Sequence, residues 1–488
     1  MRKRNNGKKT ILLLVIVLLI SSFVVVFSQY TNPKSLSKDT ASDQRATDNN
    51  SCLGEESVNL PIVVIDTKGQ NIEEVNVTSS AYKTPRYEAE FQLYNSDSQG
   101  NIVMCEGEKP IISEKIIIGV RGKSSMSKPK KQFSVKVIDD MGKEKEVPLL
   151  NMPPDKEWVL NGLSADSSLI RNHLAYQISG EIMEYAPDTR FCEVHILDQK
   201  NQKVGDTSYR GVYMLMEKIT RNPNRVDLRK TDDRLADTSF IIARDKIKVG
   251  QPVLDSLWGS VLSDQILNSD GTVKKRSTLT YVYPGKSRIT EEQKNYIENY
   301  INDFELSLYS RNFKDKKVGY RNFIDVMSFV DYAIINEFFK NVDGGDVSTY
   351  FYRDVGGLLY AGPVWDFDLT LGLPKGSPYS TVEGFRMYNT PWFDQLFKDP
   401  YFVDMYVTRY TFLRKNVLSE EHLFQVIDDA VEELGEAIHR NNAKWSKNVD
   451  VDILYEIEIR EMKDYIKQRA DWIDQNTAIL YRMDESDL

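Results

Sequence analysis

A long apolar helix pattern, followed at once by a glycine-rich loop and a short hairpin, constrains this fold more than any other feature. Apolar residues recur at helical spacing from 323 to 340. The loop 341–345 breaks that pattern, because its paired glycines favour a helix stop and unusual backbone dihedrals. Residues 348–354 and 358–365 then form two β-like runs joined by a turn with two glycines. The predicted order is therefore helix, loop, strand, turn and returning strand.

Three aspartates lie at one end of the predicted hairpin. Asp343 precedes its first strand, and Asp366 and Asp368 follow its second strand. If the chain there is extended, the carboxylates of the last two point to one side. Phosphoryl transfer uses such a set, with one Asp near the proton of the nucleophile and another holding Mg²⁺ or Mn²⁺ on the phosphates. The alternative is structural, because Asp after a helix or before Gly also forms caps and turns.

The chain before this stretch is rich in β-like runs, and the chain after it is mainly helical. Strands are predicted at 60–67, 89–95, 101–106, 114–122, 131–139, 190–197, 208–219 and 278–285. Helices are predicted at 166–184 and 291–310, and amphipathic helices follow from about 400. This order predicts an α+β fold with a two-lobed, protein-kinase-like core, in which the N-terminal lobe is β-rich and the C-terminal lobe is mainly helical.

A small basic turn is the first candidate for nucleotide binding. It contains Arg121, Gly122, Ser124 and Ser125. Its backbone N–H groups can approach an anion, as the phosphate-covering turn of a kinase-like lobe must do. The alternative is a solvated basic edge, which is the usual environment of a charge run.

Four further charged residues are candidates for nucleotide binding. Lys131 and Lys136 lie on or beside the next strand, where a kinase-like lobe carries its phosphate-binding lysine. Glu217 and Lys218 lie at the exit from the last strand of that lobe, where the adenine edge is expected. These two fall on opposite faces of the strand, so one is expected inside and the other at the surface.

Composition excludes several classes of function. The 488-residue chain has a formal net charge of -9, which provides no basic footprint, so no nucleic-acid partner is expected. Three cysteines cannot build a disulfide framework, and four scattered histidines argue against a histidine-based metal centre. The aspartates therefore remain the candidate metal ligands.

The N-terminus carries a targeting pattern. Residues 1–10 are basic and are predicted to stay in the cytoplasm, and the apolar run 11–28 predicts a single-pass membrane anchor with the rest of the chain extracellular. The alternative is a signal peptide that is cleaved, which would secrete the protein. Residues 29–58 are polar and aperiodic, which is typical of a flexible linker.

The folded part is predicted to divide into three segments. The β-rich lobe covers 59–245 and the catalytic lobe covers 246–415. Residues 416–488 form further amphipathic helices, which either cover the lobe or bind a partner. No internal repeat is present.

Six segments together resemble the spore coat protein H (CotH) kinase family. They are VRGKSSMSKPKKQFSVKV (120–137), SLIRNHLAY (168–176), GVYMLMEKI (211–219), NRVDL (224–228), NEFFKNVDGGDVSTYFY (336–352) and GPVWDFDLTLG (362–372). They occur in order, and the resemblance covers roughly residues 60–415. That family is similar to protein kinases in core layout, and its members phosphorylate Ser or Thr of coat proteins.

The resemblance implies a role for each central aspartate. Asp343 matches the active-site Asp, and Asp366 matches the Asp that binds Mg²⁺ alongside ATP. Lys123 departs from the family pattern, which usually has Asn there. Ser348 stands where protein kinases carry a second metal-binding Asn, so Asp368 is the predicted second metal ligand.

The sequence thus predicts an atypical, Mg²⁺- and ATP-dependent Ser/Thr protein kinase on the outer side of a bacterial membrane. Its predicted partners are surface or coat proteins, with the protein itself as a further candidate substrate. The rival is a catalytically silent scaffold for spore-coat or cell-envelope assembly that kept the kinase-like fold. A third alternative is an enzyme of the ATP-grasp or sugar-kinase type that acts on a small molecule.

Overall fold

The computed structural model describes residues 58–482 except 75–83, 96–108, 123, 247–252, 255, 257–277 and 447–450. The predictions for 1–10 and 11–28, the linker predicted at 29–58 apart from residue 58 itself, the strand predicted at 101–106, and Lys123 lie outside these described residues. Among the helices that the structure describes, none combines the length and the apolar character needed to cross a membrane.

Seven of the described strands close into a barrel. They are β1 (Ile62–Asp66), β2 (Tyr87–Tyr94), β3 (Ile112–Arg121), β4 (Gln132–Ile138), β5 (Glu157–Asn161), β6 (Thr189–Leu197) and β7 (Tyr209–Glu217). Their order around the barrel is β1-β2-β3-β4-β5-β7-β6. The closing pair, β1 with β6, is parallel, and the others are antiparallel. Closure leaves these strands without a free edge for pairing with another chain.

Side chains alternate between buried and partly exposed along most of β4, the strand predicted at 131–139. Phe133, Val135 and Val137 are buried in the barrel core, whereas Ser134 and Lys136 are partly exposed. The sequence did not reveal β5, because all of its residues after the first are buried and no alternation marks it as a strand.

A second, four-stranded sheet contains the predicted hairpin. Its strands are β8 (Phe240–Asp245), β9 (Thr278–Tyr283), β10 (Thr349–Arg353) and β11 (Tyr360–Ala361), in the order β11-β10-β8-β9. Strand β10 pairs with β11, as predicted, and on its other side with β8, which the sequence did not reveal. Thr349 lies opposite Arg244 in this antiparallel pair, so the residues just after β8 run beside the start of the hairpin.

The described residues also form eight α-helices. They are α1 (Arg171–Gly180), α2 (Glu291–Leu308), α3 (Val326–Phe338), α4 (Phe393–Leu396), α5 (Pro400–Arg414), α6 (Glu420–Leu434), α7 (Ala437–Trp445) and α8 (Val451–Asn476). The first three confirm predicted helices. Every residue of α3 from Phe329 to Phe338 is buried, rather than only the predicted stripe, because this helix contacts β11, α5 and α8. The mixed α+β architecture is thereby confirmed.

Helix α7 fastens the C-terminal segment to the barrel. Asn441 Oδ1 accepts hydrogen bonds from the backbone N–H of Val212 at 3.1 Å and from Lys130 Nζ at 2.8 Å. Trp445 Nε1 donates to the carbonyl of Arg210 at 2.9 Å. Since Arg210 and Val212 belong to β7, this helix covers one side of the barrel.

A buried ion pair joins α8 to α3. Arg469 Nη2 lies 2.6 Å from Glu337 Oε1, and the two side chains are 0% and 2% exposed. Arg469 also donates to the backbone carbonyls of Val382 and Gly384. The last long helix therefore also holds the segment that follows the hairpin.

Replacing Arg469 by Met should lower the free energy of unfolding by about 3–5 kcal/mol, because the Glu337 charge would stay buried without its partner. Urea denaturation measures the change. Arg460→Met is the matched control, since Arg460 is exposed on the same helix and its loss should change stability by only about 0.5 kcal/mol. Equal losses in the two variants would contradict a special contribution of the buried pair.

Candidate active site

The loop after α3 holds Asp343 in a fixed conformation. Asn341 Oδ1 accepts a hydrogen bond from the backbone N–H of Asp343 at 3.0 Å. The carbonyl of Asp343 accepts one from the N–H of Asp346 at 3.1 Å. Gly345 has a φ of +83°, and a Cβ there would lie 2.3 Å from Thr390 Oγ1, so only glycine fits. The backbone is thus fixed around the half-buried Asp343 side chain.

Arg386 holds the same loop from the segment after the hairpin. Its guanidinium donates to the carbonyl of Gly344 and, at 2.8 Å, to Asp346 Oδ2. Its backbone N–H donates to Glu337 Oε2 at 2.8 Å. Because Glu337 pairs with Arg469, the buried α3–α8 ion pair is connected to this loop.

Helix α1 holds the loop of the second aspartate. The backbone N–H of Asp366 donates to Tyr176 Oη at 3.0 Å, and that of Phe367 donates to Asn172 Oδ1 at 2.7 Å. Asp366 has a φ of +70°, a left-handed conformation that Asp adopts more readily than most residues. Ser348 Oγ donates to Asp366 Oδ2 at 3.2 Å, which joins this loop to the start of the hairpin.

Arg171 holds the residues that follow Asp366. It is buried and forms ion pairs with Asp166 at 2.6 Å and with Glu458 at 2.7 Å. Its Nε donates to the carbonyl of Thr370 at 3.0 Å. Because Glu458 belongs to α8, the C-terminal helix supports this loop as well as the loop of Asp343.

The three candidate carboxylates affect one another's protonation. Burial and then the Asp366 carboxylate raise the pKa of Asp343. Burial also raises the pKa of Asp366, while the nearby Arg121 opposes that shift. The pKa of Asp368 lies well above its usual range because of burial and the Asp366 carboxylate. The structure therefore brings Asp343, Asp366 and Asp368 into one region of concentrated negative charge.

This donor set fits a hard divalent cation that also binds phosphates. Mg²⁺ is commonly held by one or two carboxylates together with phosphate oxygens and water. A divalent cation would also offset the repulsion among the aspartates. Within the part of the chain that the structure describes, no three or more His, Cys, Asp and Glu side chains are arranged to hold a metal ion. The remaining ligands would therefore come from phosphates and water.

Arg121 lies beside the loop of Asp366. Its guanidinium lies over the ring of Trp365, 5.5 Å from the ring centroid, and it donates to Gln132 Oε1 at 3.3 Å. Trp365 directly precedes Asp366. The positive charge of Arg121 opposes the increase in the pKa of Asp366 that burial causes. The structure thus brings Arg121 together with the predicted metal ligand.

Gly122 and Ser125, which follow Arg121 in the basic turn, lie close together. Gly122 has a φ of +104°, and a Cβ there would lie 1.9 Å from Ser125 Oγ, so the turn requires glycine. Ser124 begins a short 3₁₀ helix. Lys131 Nζ donates to the carbonyl of Met126 at 2.7 Å, which ties the next strand to the turn. Lys131 therefore stabilises the turn directly.

The three other candidates contact groups of the barrel. Lys136 Nζ lies 2.8 Å from Glu144 Oε1, and Lys218 Nζ lies 2.7 Å from Glu157 Oε1. Glu217 is buried, accepts a hydrogen bond from the loop before β6 at 3.1 Å, and has its pKa raised by burial. The prediction that one of this pair lies inside and the other at the surface is confirmed, and the structure shows that Glu217 is the buried one. These contacts do not join the three residues to the aspartates.

An open pocket of about 540 Å³ adjoins Asp343. Its lining includes Asp346 and Arg386, and also Lys246 and Tyr379, which the sequence did not suggest. Lys246 directly follows β8, so the pairing of β8 with β10 brings it to this place. The pocket gives an incoming group access to the Asp343 carboxylate.

A comparison with protein families identifies the chain. A family model described as CotH kinase protein matches residues 118–473. The chain belongs to the CotH kinase family. The CotH match covers most of the chain and contains every candidate site residue. Compared with the extent of 60–415 estimated from the motifs, it begins later, at 118, and ends later, within α8. A search of curated proteins finds no match.

Sequence reasoning missed three residues around the CotH site, namely Tyr176, Arg386 and Lys246. Tyr176 lies four positions after Asn172, so the helical spacing of the motif 168–176 could have placed both on one face of α1. Arg386 and Lys246 lie outside the CotH-like motifs. They reach the site through contacts that are distant in sequence, so no local pattern indicates them.

Proposed function

We propose that this CotH-family protein is an atypical protein kinase that transfers the γ-phosphate of ATP to Ser or Thr of surface or coat proteins, itself included. The observation that carries the proposal is that Asp343 lines an open pocket while its carboxylate lies within electrostatic reach of the Asp366 carboxylate, which raises its pKa. Membership of the CotH kinase family supports kinase-like chemistry at this site. The neighbouring basic turn supports a phosphate-bearing substrate.

Asp343 is the proposed proton acceptor. In the transfer, the acceptor hydroxyl oxygen bonds to the γ-phosphorus, the bond from that phosphorus to the β,γ-bridging oxygen breaks, and ADP leaves. The hydroxyl proton goes to the Asp343 carboxylate. Burial and Asp366 raise the pKa of Asp343, which makes it a stronger base than an ordinary Asp. Contacts from Asn341 and Arg386 hold its loop in place.

Asp366 and Asp368 are the proposed ligands of Mg²⁺ or Mn²⁺. When bound, the ion neutralises charge on the β- and γ-phosphates. The chain's own contribution is orientation, because Tyr176 and Asn172 fix the backbone of the loop. Ser348 stands where kinases have a metal-binding Asn, and its hydroxyl donates to the Asp366 carboxylate.

We assign the remaining nucleotide contacts to Arg121 and to the turn from Gly122 to Ser125. Arg121 lies beside the Asp366 loop, and Gly122 has no side chain to keep the backbone away from an anion. Lys131 supports this turn through the carbonyl of Met126. The ammonium groups of Lys136 and Lys218 already pair with carboxylates of the barrel.

We further propose that the enzyme acts outside the cytoplasm. The basic residues 1–10 and the apolar run 11–28 support an anchor that leaves the kinase on the outer side, and cleavage of that run would release it. Protease treatment of intact cells tests the location. Degradation of the kinase in intact cells supports it, whereas protection until the cells are lysed contradicts it.

Nucleotide binding tests the proposal before any substrate is known. ATP with Mg²⁺ at about 100 times Kd should stabilise the full-length protein by about 2.7 kcal/mol. Thermal unfolding with ATP, Mg²⁺, both or neither measures this, and γ-labelled ATP then measures transfer to the protein itself and to envelope proteins. If nucleotide does not stabilise the protein and no label is transferred, the result supports the silent scaffold. Label on envelope glycans or lipids alone would support the small-molecule enzyme.

A further inference from the structure

Lys246 faces the same pocket as Asp343 from the end of β8. In the antiparallel pairing of β8 with β10, Thr349 lies opposite Arg244, and just beyond this pair Lys246 and Val347 both line the pocket that adjoins Asp343. The Lys246 side chain is exposed and lines the pocket. Its position therefore depends on the pairing of β10 with β8, a strand that lies outside the CotH-like motifs.

Lys246 lies near both central carboxylates. Burial raises the pKa of Asp343 and of Asp366, and the positive charge of Lys246 opposes that shift in each of them. Lys246 also lines the pocket that adjoins Asp343, so its charge lies at the candidate site. In the proposed kinase reaction, a phosphoryl group that reaches a hydroxyl at Asp343 would enter the pocket that Lys246 lines.

The other cations around the site are held by protein groups. Arg386 pairs with Asp346 at 2.8 Å. Arg121 lies over the ring of Trp365. Lys246 has no ion pair among the described residues, so its charge is available to a ligand.

We propose that Lys246 is a further catalytic residue, whose ammonium group binds the γ-phosphate during its transfer to the acceptor hydroxyl. This inference rests on the proposed kinase function. The transferring group carries its charge on three equatorial oxygens, and a lysine ammonium acts on phosphate as a compact point charge. Lys246 stays protonated throughout, because the hydroxyl proton goes to Asp343.

A purely structural role would give a different result on substitution. Lys246 is exposed and unpaired among the described residues, so Lys246→Met should leave Tm unchanged within about 2 °C. Loss of a preorganised cation at the transferring group should instead lower kcat by about 10²–10³-fold. Lys246→Arg keeps the charge and should recover part of that loss.

The experiment compares the full-length wild-type protein with three variants, namely Lys246→Met, Lys246→Arg and, as matched control, Lys316→Met. Lys316 is an exposed lysine in the loop after α2. Titration with ADP and with a non-hydrolysable ATP analogue, each with Mg²⁺, gives Kd values that do not depend on turnover. Rates with γ-labelled ATP give kcat and KM.

Lys246→Met should weaken binding of the triphosphate by about tenfold, roughly the value of one hydrogen bond to a charged group, and leave ADP binding unchanged. Equal effects on ADP and triphosphate, or no effect on either, would overturn the proposal. If wild type binds the triphosphate but transfers no phosphate, the proposed kinase function fails. The Kd values of wild type and Lys246→Met then still show whether Lys246 contacts the γ-phosphate. If wild type binds neither nucleotide, both proposals fail.

Discussion

Replacement of Asp343 by Asn is expected to lower kcat for phosphoryl transfer by about 10²–10⁴-fold, the usual contribution of a general base. The amide keeps the shape of the side chain but cannot accept the hydroxyl proton. Stabilisation by ATP and Mg²⁺ should persist, because the proposed metal ligands are unchanged. Initial rates with γ-labelled ATP measure the first effect and thermal unfolding the second. A kcat within about tenfold of wild type would remove Asp343 from the role of base.

The same substitution should leave the fold intact and stabilise it at neutral pH. Burial and Asp366 raise the pKa of Asp343 above its ordinary value of 3.8. When the pKa of a carboxyl group is higher in the folded than in the unfolded protein, the protein loses folding stability as the pH rises from the unfolded-state pKa to the folded-state pKa. Asn removes this loss, so the Tm of Asp343→Asn should exceed that of wild type near neutral pH. The difference should narrow as the pH falls toward about 4.

Asp303→Asn is the matched control for that comparison. Asp303 is exposed on α2, so its amide variant should match wild type in both kcat and Tm. A lower Tm for Asp343→Asn at neutral pH would show that the carboxylate supports the fold, and its kinetic loss would then need a structural explanation.

Local patterns were sufficient to predict the elements that carry the two central aspartates. The apolar spacing of α3, the glycines after it and the two β-like runs of the hairpin are all contained within fifty residues of chain. Their signals depend on helix periodicity, turn chemistry and alternation, which are short-range properties. The barrel strand β5 was missed because a five-residue run that is buried at every position after the first shows neither period.

Side-chain partners across strands and helices could not be predicted in the same way. Lys136 and Lys218 were considered for phosphate binding because of their positions beside motifs, but their carboxylate partners come from neighbouring parts of the barrel. The position of Lys246 depends on the pairing of β8 with β10. The support from α8 depends on Arg469 meeting Glu337 across 132 positions. Such contacts depend on how the strands and helices are arranged in the whole fold, and no short segment of the sequence specifies that arrangement.

Replacement of Asp366 by Asn should separate the two aspartates by function. The amide weakens the proposed site for Mg²⁺ or Mn²⁺, so kcat should fall by at least about 10²-fold, as when a group that stabilises transition-state charge is removed. Unlike Asp343→Asn, this variant should also lose most of the stabilisation by ATP with Mg²⁺, because the ion links the nucleotide to the protein. Thermal unfolding with ATP, with and without Mg²⁺, measures the difference.

Stability without ligand provides the control for Asp366→Asn. Burial raises the pKa of Asp366, so the amide should not lower the Tm of the free protein, and the contact from Ser348 can persist with an amide oxygen. A variant that folds, loses the Mg²⁺-dependent shift and loses transfer supports a ligand role. Retention of the full shift would place the metal elsewhere. If Asp343→Asn and Asp366→Asn both lost the shift equally, the two carboxylates would be acting as one site, and the assignment of separate base and metal ligand would fail.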